Sequence, residues 1–387
     1  MLNAELIEAE YGYLGDAIFL NTSSVAVPPS RVRNACRRCM DDLAQAYGIP
    51  AYDEYDNIRS QTKSLLGSLI HCQPDEIAFT KNTTEGNSLL ARGLDLKGGD
   101  SVIICDMEHP SLLYPWLYSQ RRGIDVRIVK SHNGSFSLED IAALTDKSTK
   151  VIAVSAVQYG SGYLADLKGI GTFCAENHII FAVDGIQAVG KIPIDVQKMH
   201  IDYLTCGAFK GLLGSLGIGF LYCRRDLIPH IEPCNISYHT AENYVDAPDI
   251  LQDFSPPLLR TDIHRLEAGS SNTYGIISLN KGVELILELG VSNIFFHIME
   301  LEKQLRGRLY GSGYEFYEHD PNVGFSGIIS LRFPENGTEL LKKAFAENRV
   351  YATVKKGYVR MALEFFNTGE QMDRLAHILL DCRKQMK

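Results

Sequence analysis

In the stretch GAFKGLLGSLGIG (207–219) a single charge, Lys210, stands among glycines and aliphatic residues. Taking an ammonium out of water is costly, so a lysine in this company is a solvated loop residue, a phosphate binder or a covalent nucleophile. Two other clusters bear on the choice. In TKNTTEGN (80–87), Thr83 and Thr84 meet the start of a helical pattern, where free N–H groups and the helix dipole favour a phosphate. A plain threonine N-cap accounts for the same residues. In FAVDGIQAVG (181–190), Asp184 directly follows an apolar strand and Gln187 comes three residues later. A carboxylate there is costly to bury unless it meets a cation or donors. An aspartate capping the next helix is the plainer reading.

A Walker phosphate loop is excluded by order and context. That motif leads from a strand into a helix with its lysine after the glycines, whereas here Gly211 follows Lys210 and a strand comes next. A phosphate cradle, a carboxylate and a nucleophilic lysine together suit pyridoxal 5′-phosphate (PLP). The lysine would bind its aldehyde carbon, the aspartate would pair with the protonated pyridine nitrogen, and the helix start would hold the phosphate. Cys36 and Cys39 form a CxxC in the helical stretch RVRNACRRCMDDLAQAY (31–47). No second pair and no histidines stand at ligand spacing, so they read as packing residues and no metal site is expected.

Several segments, taken in order, carry a resemblance. They are NTTEG (82–86), EHPSLLYPW (108–116), VDGIQAVGKIPIDV (183–196), FKGLLGSLGIGFLY (209–222), EAGSSNTYGI (267–276) and RMALEFFNT (360–368). The chain resembles the class V aminotransferase group of fold-type I PLP-dependent enzymes, which includes cysteine desulfurases, kynureninases and isopenicillin N epimerase-like proteins. The resemblance runs from IFLNTSSVAVPP (18–29) to YVRMALEFFNT (358–368). It implies that Lys210 is the catalytic, Schiff-base lysine, with Asp184 on the pyridine nitrogen and Gln187 donating to the ring's 3′ oxygen. It implies Thr83 and Thr84 on the phosphate and His109 stacked on the ring. Arg360 would grip the substrate α-carboxylate, a task suited to a guanidinium fork. Tyr159 would stand at the substrate site where desulfurases carry asparagine. Ser270 would reach the phosphate of the neighbouring subunit, which makes a homodimer the expected assembly. Without the resemblance, His109 reads as a strand-end histidine turned to solvent and Arg360 as one half of a surface salt bridge.

The chain also departs from that pattern. Gly207 and Phe209 replace the serine and histidine common before the lysine. The segment RVYATVKKGYVR (349–360) is short and lacks the loop cysteine of sulfur-transferring desulfurases. Cys382, in the last helical stretch, reads as a packing residue. The expected function is a PLP enzyme that acts on an amino acid through Cα deprotonation, as a desulfurase-like C–S lyase without the loop cysteine. An aminotransferase or an amino-acid epimerase would use the same residues. A non-catalytic PLP-binding scaffold would typically lack the lysine or add a DNA-binding segment.

These residues need elements to position them. Strand-like runs are EIAFT (76–80), SVIICD (101–106), DVRIVK (125–130), KVIAVSAV (150–157), IIFAVDG (179–185) and GIGFLYC (217–223), separated by helical stretches at 84–94, 138–145 and 167–178. Such alternation indicates a mostly parallel sheet covered on both faces, with ligands outside the carboxyl ends of its strands. Residues 224–268 are loop-rich, with Pro229, Pro233, Pro248, Pro256 and Pro257. A long helix follows at 275–290, then helices at 293–311, 338–347 and 369–384 around strands at 327–333 and 358–364. The expected fold class is α/β, of the fold-type I PLP-dependent transferase kind. It has a large domain with a mostly parallel seven-stranded sheet (18–268), a connecting helix (269–290) and a smaller α+β C-terminal domain (291–387) joined by residues 1–17.

Composition sets the outer bounds. The 387 residues are 45% hydrophobic and 22% charged, ordinary for a globular enzyme. With a net charge of −9 and no basic stripe, nucleic acid is not an expected partner. No run reaches the ~18 apolar residues of a membrane helix. The acidic, amphipathic start MLNAELIEAEYGYLG is unlike a signal peptide, so the expected compartment is the cytoplasm and the nine cysteines are expected as thiols.

Overall fold

The computed structural model describes residues 2–45, 52–242, 256–317 and 325–386. The N-terminal part carries α1 (Ala4–Tyr11), β1 (Ile18–Phe19), α2 (Ser30–Gln45) and α3 (Tyr52–Ile70). Then come β2 (Ile77–Thr80), α4 (Thr83–Gly93), β3 (Ser101–Cys105), α5 (Pro110–Ser119), β4 (Asp125–Val129), α6 (Leu138–Ala143) and β5 (Thr149–Ser155). The alternation continues with α7 (Leu167–Glu176), β6 (Ile180–Asp184), β7 (Tyr203–Gly207) and β8 (Gly219–Cys223).

Strands β2 to β8 form one seven-stranded sheet in the order β2-β8-β7-β6-β5-β3-β4. All pairs are parallel except those of β8, which runs against both β2 and β7. The fold is therefore α/β with a mostly parallel sheet. The strands are buried on both faces, and alternate residues feed separate apolar clusters. Val102 and Ile104 of β3 pack with Leu90 and Trp116 on one side, while Ile103 and Cys105 pack with the larger cluster on the other. At about 1.5–3 kcal/mol per fully buried aliphatic side chain, this two-sided burial fixes the register. Polar side chains are then left to the strand ends.

The long helix α8 (Thr273–Leu289) packs on α2 and α3 and leads through a bend of 76° into α9 (Val291–Leu309). Among the described residues no single helix is long and apolar enough to cross a membrane. A second sheet follows, built from β9 (Glu315–Phe316), β10 (Ile328–Arg332), β12 (Thr353–Lys355) and β13 (Tyr358–Ala362) in the order β12-β13-β10-β9. With it go α10 (Thr338–Glu347), β11 (Val350–Tyr351) and α11 (Gly369–Gln385). The chain's beginning is stitched to this second sheet. β1 pairs in parallel with β11, the Leu20 carbonyl accepts from Ala362 N, and Tyr11 stacks on Phe366 at 4.2 Å. Of the loop-rich stretch 224–268, residues 243–255, Pro248 among them, lie outside the described residues.

Most expected elements are present with ends shifted by one to three residues. β7 (YLTCG), α3, α5 and the short strands β1, β9, β11 and β12 are additions to the runs read from sequence.

Candidate active site

A cavity of about 330 Å3 opens at the carboxyl ends of β5, β6 and β7, where the second sheet leans over the first. Eight of the nine expected residues line it: Thr83, Thr84, His109, Tyr159, Asp184, Gln187, Lys210 and Arg360. Ser270 does not. It is exposed and lines a different hollow, with its hydroxyl 3.3 Å from that of Tyr238.

Lys210 sits in the turn that reverses the chain from β7 into β8. The turn is tied by Ala208 N donating to Ile218 O and Gly214 N to Ala208 O, with Leu213 held at φ 61°. It packs against the segment after β6. There Gly190, at φ +91°, brings its backbone so near that an added Cβ would stand 2.4 Å from Gly211 O. Lys210 is thereby 9% exposed. Burial pushes its amine down to about 8, with Asp184 opposing the shift and Arg360 adding to it. About a tenth of the amine is thus free base at pH 7, far more than for an ordinary lysine, and that is the form a nucleophile or proton acceptor needs.

Asp184 ends β6 and is 1% exposed. Its Oδ1 accepts from Ile186 N at 3.1 Å, and a turn follows rather than a helix, so the residue is no helix cap. Its Oδ2 is buried with no well-formed hydrogen bond, although Asn87 and Ser111 lie near enough to hold the carboxyl's pKa down somewhat. Burial raises this carboxyl to about 6. A buried carboxylate with an unused oxygen calls for a cationic or donor partner. Gln187 is placed alike: its Nε2 donates to Ser23 O at 3.0 Å while Oε1 has no partner.

The cap of α4 is Asn82, whose side chain accepts from Glu85 N at 2.9 Å. This replaces the expected threonine cap and leaves both threonine hydroxyls in the first turn. Thr83 Oγ1 accepts from Gly207 N at 3.0 Å, so its hydrogen remains to donate, and Thr84 is exposed to the cavity. Helix N-terminus and hydroxyls together form a seat for a dianion.

His109 caps α5: Ser111 N donates to its Nδ1 at 3.2 Å, which leaves Nε2 to carry the proton of the neutral ring. Its edge meets Tyr159 at 5.0 Å and 86°. Burial, Lys210 and Arg360 together lower its pKa. Arg360, 8% exposed on β13, forms no salt bridge among the described residues. Its Nη1 donates to Tyr159 O and its Nη2 to Ser24 Oγ, both at 2.8 Å, and its buried Nε has no partner.

Several contributors escaped the sequence reading. Ser24 anchors Arg360 and Ser155 lines the wall. Glu108, 4% exposed, accepts from Ser155 N at 3.0 Å, from Ser155 Oγ and from Gln158 Nε2 at 2.7 Å. Lys355 lines the cavity mouth. The only available signal was indirect: Glu108 adjoins His109, and Ser155 ends a strand beside Asp184. The CxxC pair sits on α2 with Cys39 buried and Cys36 half-buried, and no metal-binding cluster occurs among the described residues.

Comparison with known proteins follows the same line. A family model described as "Aminotransferase class-V" matches residues 37–375. The chain is 26% identical to a probable cysteine desulfurase of Methanothermobacter thermautotrophicus over 98% of each chain. Two solved structures share the fold. An apo cysteine desulfurase from Thermococcus onnurineus NA1 superposes with a TM-score of 0.89 at 23% identity, covering 100% of this chain and 99% of that one. A cystine C–S lyase in complex with its product, cysteine persulfide, gives 0.85 at 19% identity over 96% and 99%.

Proposed function

Since the chain belongs to the class-V aminotransferase family, we propose that it binds PLP through Lys210 and deprotonates an amino acid at Cα, with C–S cleavage as the outcome. One observation carries the reading: a buried lysine amine held near neutrality and a carboxylate with an unpartnered buried oxygen share one cavity with a helix N-terminus. That donor set fits the group. Asp184 Oδ2 would meet the pyridine nitrogen, Thr83, Thr84 and the start of α4 would hold the phosphate, and His109 would cover the ring. When bound, PLP supplies an electron sink for the pair left at Cα.

The chain's own residues do the rest. Arg360, fixed by Tyr159 and Ser24, orients the substrate by its α-carboxylate. Lys210 would take the Cα proton and return one later. Asp184 would hold the cofactor nitrogen protonated. No described cysteine lines the cavity, so sulfur leaving Cβ departs as a small thiol or sulfide rather than on the protein. Relatives named as cysteine desulfurases, and a neighbour named as a cystine C–S lyase, support the C–S reading. The protein acts as a homodimer in this proposal, with Ser270 completing the partner's phosphate site.

The test is direct. Holoenzyme should absorb in the visible, and borohydride should fix the cofactor on Lys210, as located by peptide mass spectrometry. An adduct elsewhere, or none with added PLP, overturns the assignment. Product analysis with β-thio amino acids then reads the outcome: thiol and 2-oxo acid support C–S cleavage, while an amino-transfer product or the enantiomer replaces it.

A further inference from the structure

A second cation stands at the cavity mouth with nothing yet to do. β12 and β13 pair antiparallel, with Thr353 opposite Arg360 and Lys355 opposite Tyr358. Strand alternation therefore puts Lys355 and Arg360 on one face, as diagonal neighbours whose backbones lie about 7–8 Å apart. Both line the cavity. Lys356, one residue on, is engaged elsewhere, its Nζ 2.8 Å from Glu335. Lys355 itself forms no hydrogen bond or ion pair among the described residues.

The charges of the cavity face different groups. Its lining holds three cations, Lys210, Lys355 and Arg360, and one carboxylate, Asp184. Asp184 closes the far end of β6 and faces the cofactor in the reading above. The dianion seat is the start of α4, on the large sheet, whereas Lys355 rises from the second sheet beside Arg360. Arg360 is already tied at both Nη atoms and cannot swing to a second group. An amino acid held by its α-carboxylate on Arg360 would have an unpaired ammonium within reach of its side chain.

We propose that Lys355 is a specificity-determining residue that favours amino acids whose side chain ends in a carboxylate. The inference rests on the amino-acid reading of this cavity and deepens it by naming the substrate class. The flexible four-carbon stem lets the ammonium follow carboxylates on chains of different length. Because Lys355 is exposed in this chain, the preference is moderate.

The experiment uses holoenzyme in which borohydride has first been shown to fix PLP on Lys210, so a failure there is a failure of the function and not of this inference. Cofactor absorbance is then titrated with S-carboxymethylcysteine and its uncharged isostere S-carbamoylmethylcysteine, and with aspartate and asparagine as a shorter pair. The acid of at least one pair should bind about twofold to fivefold tighter than its amide at low salt. Lys355→Met should bring that ratio close to one by weakening the acid alone, and Lys355→Arg should keep it. The inference is overturned by a ratio near one in the unaltered enzyme for both pairs, or by a ratio that survives Lys355→Met. Equal weakening of acid and amide with loss of PLP retention also overturns it, since Lys355 would then serve the cofactor phosphate.

Discussion

Glu108 shows how a residue outside the reacting groups shapes them. It holds Ser155 by two hydrogen bonds and Gln158 by a third, beneath the wall that carries Asp184. Burial raises its carboxyl to about 7 from the ordinary 4.5, the bonds from Ser155 and Gln158 oppose that rise, and Asp184 adds to it. The folded state therefore binds this proton more tightly than the unfolded chain. Its contribution is full below about pH 4.5 and is lost as pH rises through about 7, a swing of about 3 kcal/mol. Asp184, raised to about 6 by burial, acts in the same direction. Glu108→Gln keeps an acceptor for Ser155 N and Gln158 and removes the titration. Thermal unfolding of the apoprotein should then fall less steeply between those two pH values in the variant than in the parent. Parallel curves would mean that Glu108 does not titrate in this window.

At the scale of elements, the hairpin β12–β13 is the decisive piece. Its turn is only Lys356 and Gly357, and Gly357 at φ +66° takes the left-handed conformation that a turn this tight requires. The hairpin leaves no loop able to carry a cysteine over Lys210. Stepwise conservative replacement of the nine cysteines should therefore leave sulfur release within about threefold of the parent as long as the variant folds. Loss of turnover in a folded variant altered only at exposed Cys234 would reveal a sulfur acceptor instead.

The same elements explain what was legible beforehand. Strands β3, β5, β6 and β8 announced themselves as unbroken apolar runs, because both of their faces are covered. β7 did not, because Thr205, Cys206 and Gly207 dilute its pattern, and α5 was obscured by Pro110 at its first position and Pro115 within it. In the site, Lys210 and Asp184 were conspicuous as lone charges among apolar neighbours. Ser24, Glu108 and Lys355 were not: Ser24 and Glu108 act through partners from other elements, Ser24 meeting Arg360 across 336 residues of sequence, and Lys355 reaches the cavity only through the pairing of β12 with β13.

For the whole molecule, the position of Ser270 separates a chain from its assembly. Exposed and outside its own chain's Lys210 cavity, it is available to complete a neighbour's. Removing one hydroxyl donor to a dianion costs about 1.5–3 kcal/mol when the bond is buried, so Ser270→Ala should weaken PLP binding about tenfold to a hundredfold. Mixed dimers of Ser270→Ala and Lys210→Ala chains decide the geometry. If Ser270 acts across the interface, one site carries both lesions and the other none, and at limiting PLP about half the activity remains. Near-zero activity would place both lesions in different sites and rule the contact out.

The stitching of β1 to β11, with Ser24 bound to Arg360, has a consequence for how the protein is made. A ribosome adding about 5–20 residues per second needs roughly 20–70 s to emit the 336 residues between Ser24 and its partner. Once β8 has emerged, the large sheet can form and Asp184 and Lys210 can take their places while the rest of that interval runs. The segment that anchors Arg360 meanwhile hangs without its strand partner. Nascent chains thus pass through a stage with Asp184 and Lys210 in place and Arg360 still to come, and the last fifty residues to emerge close the cavity.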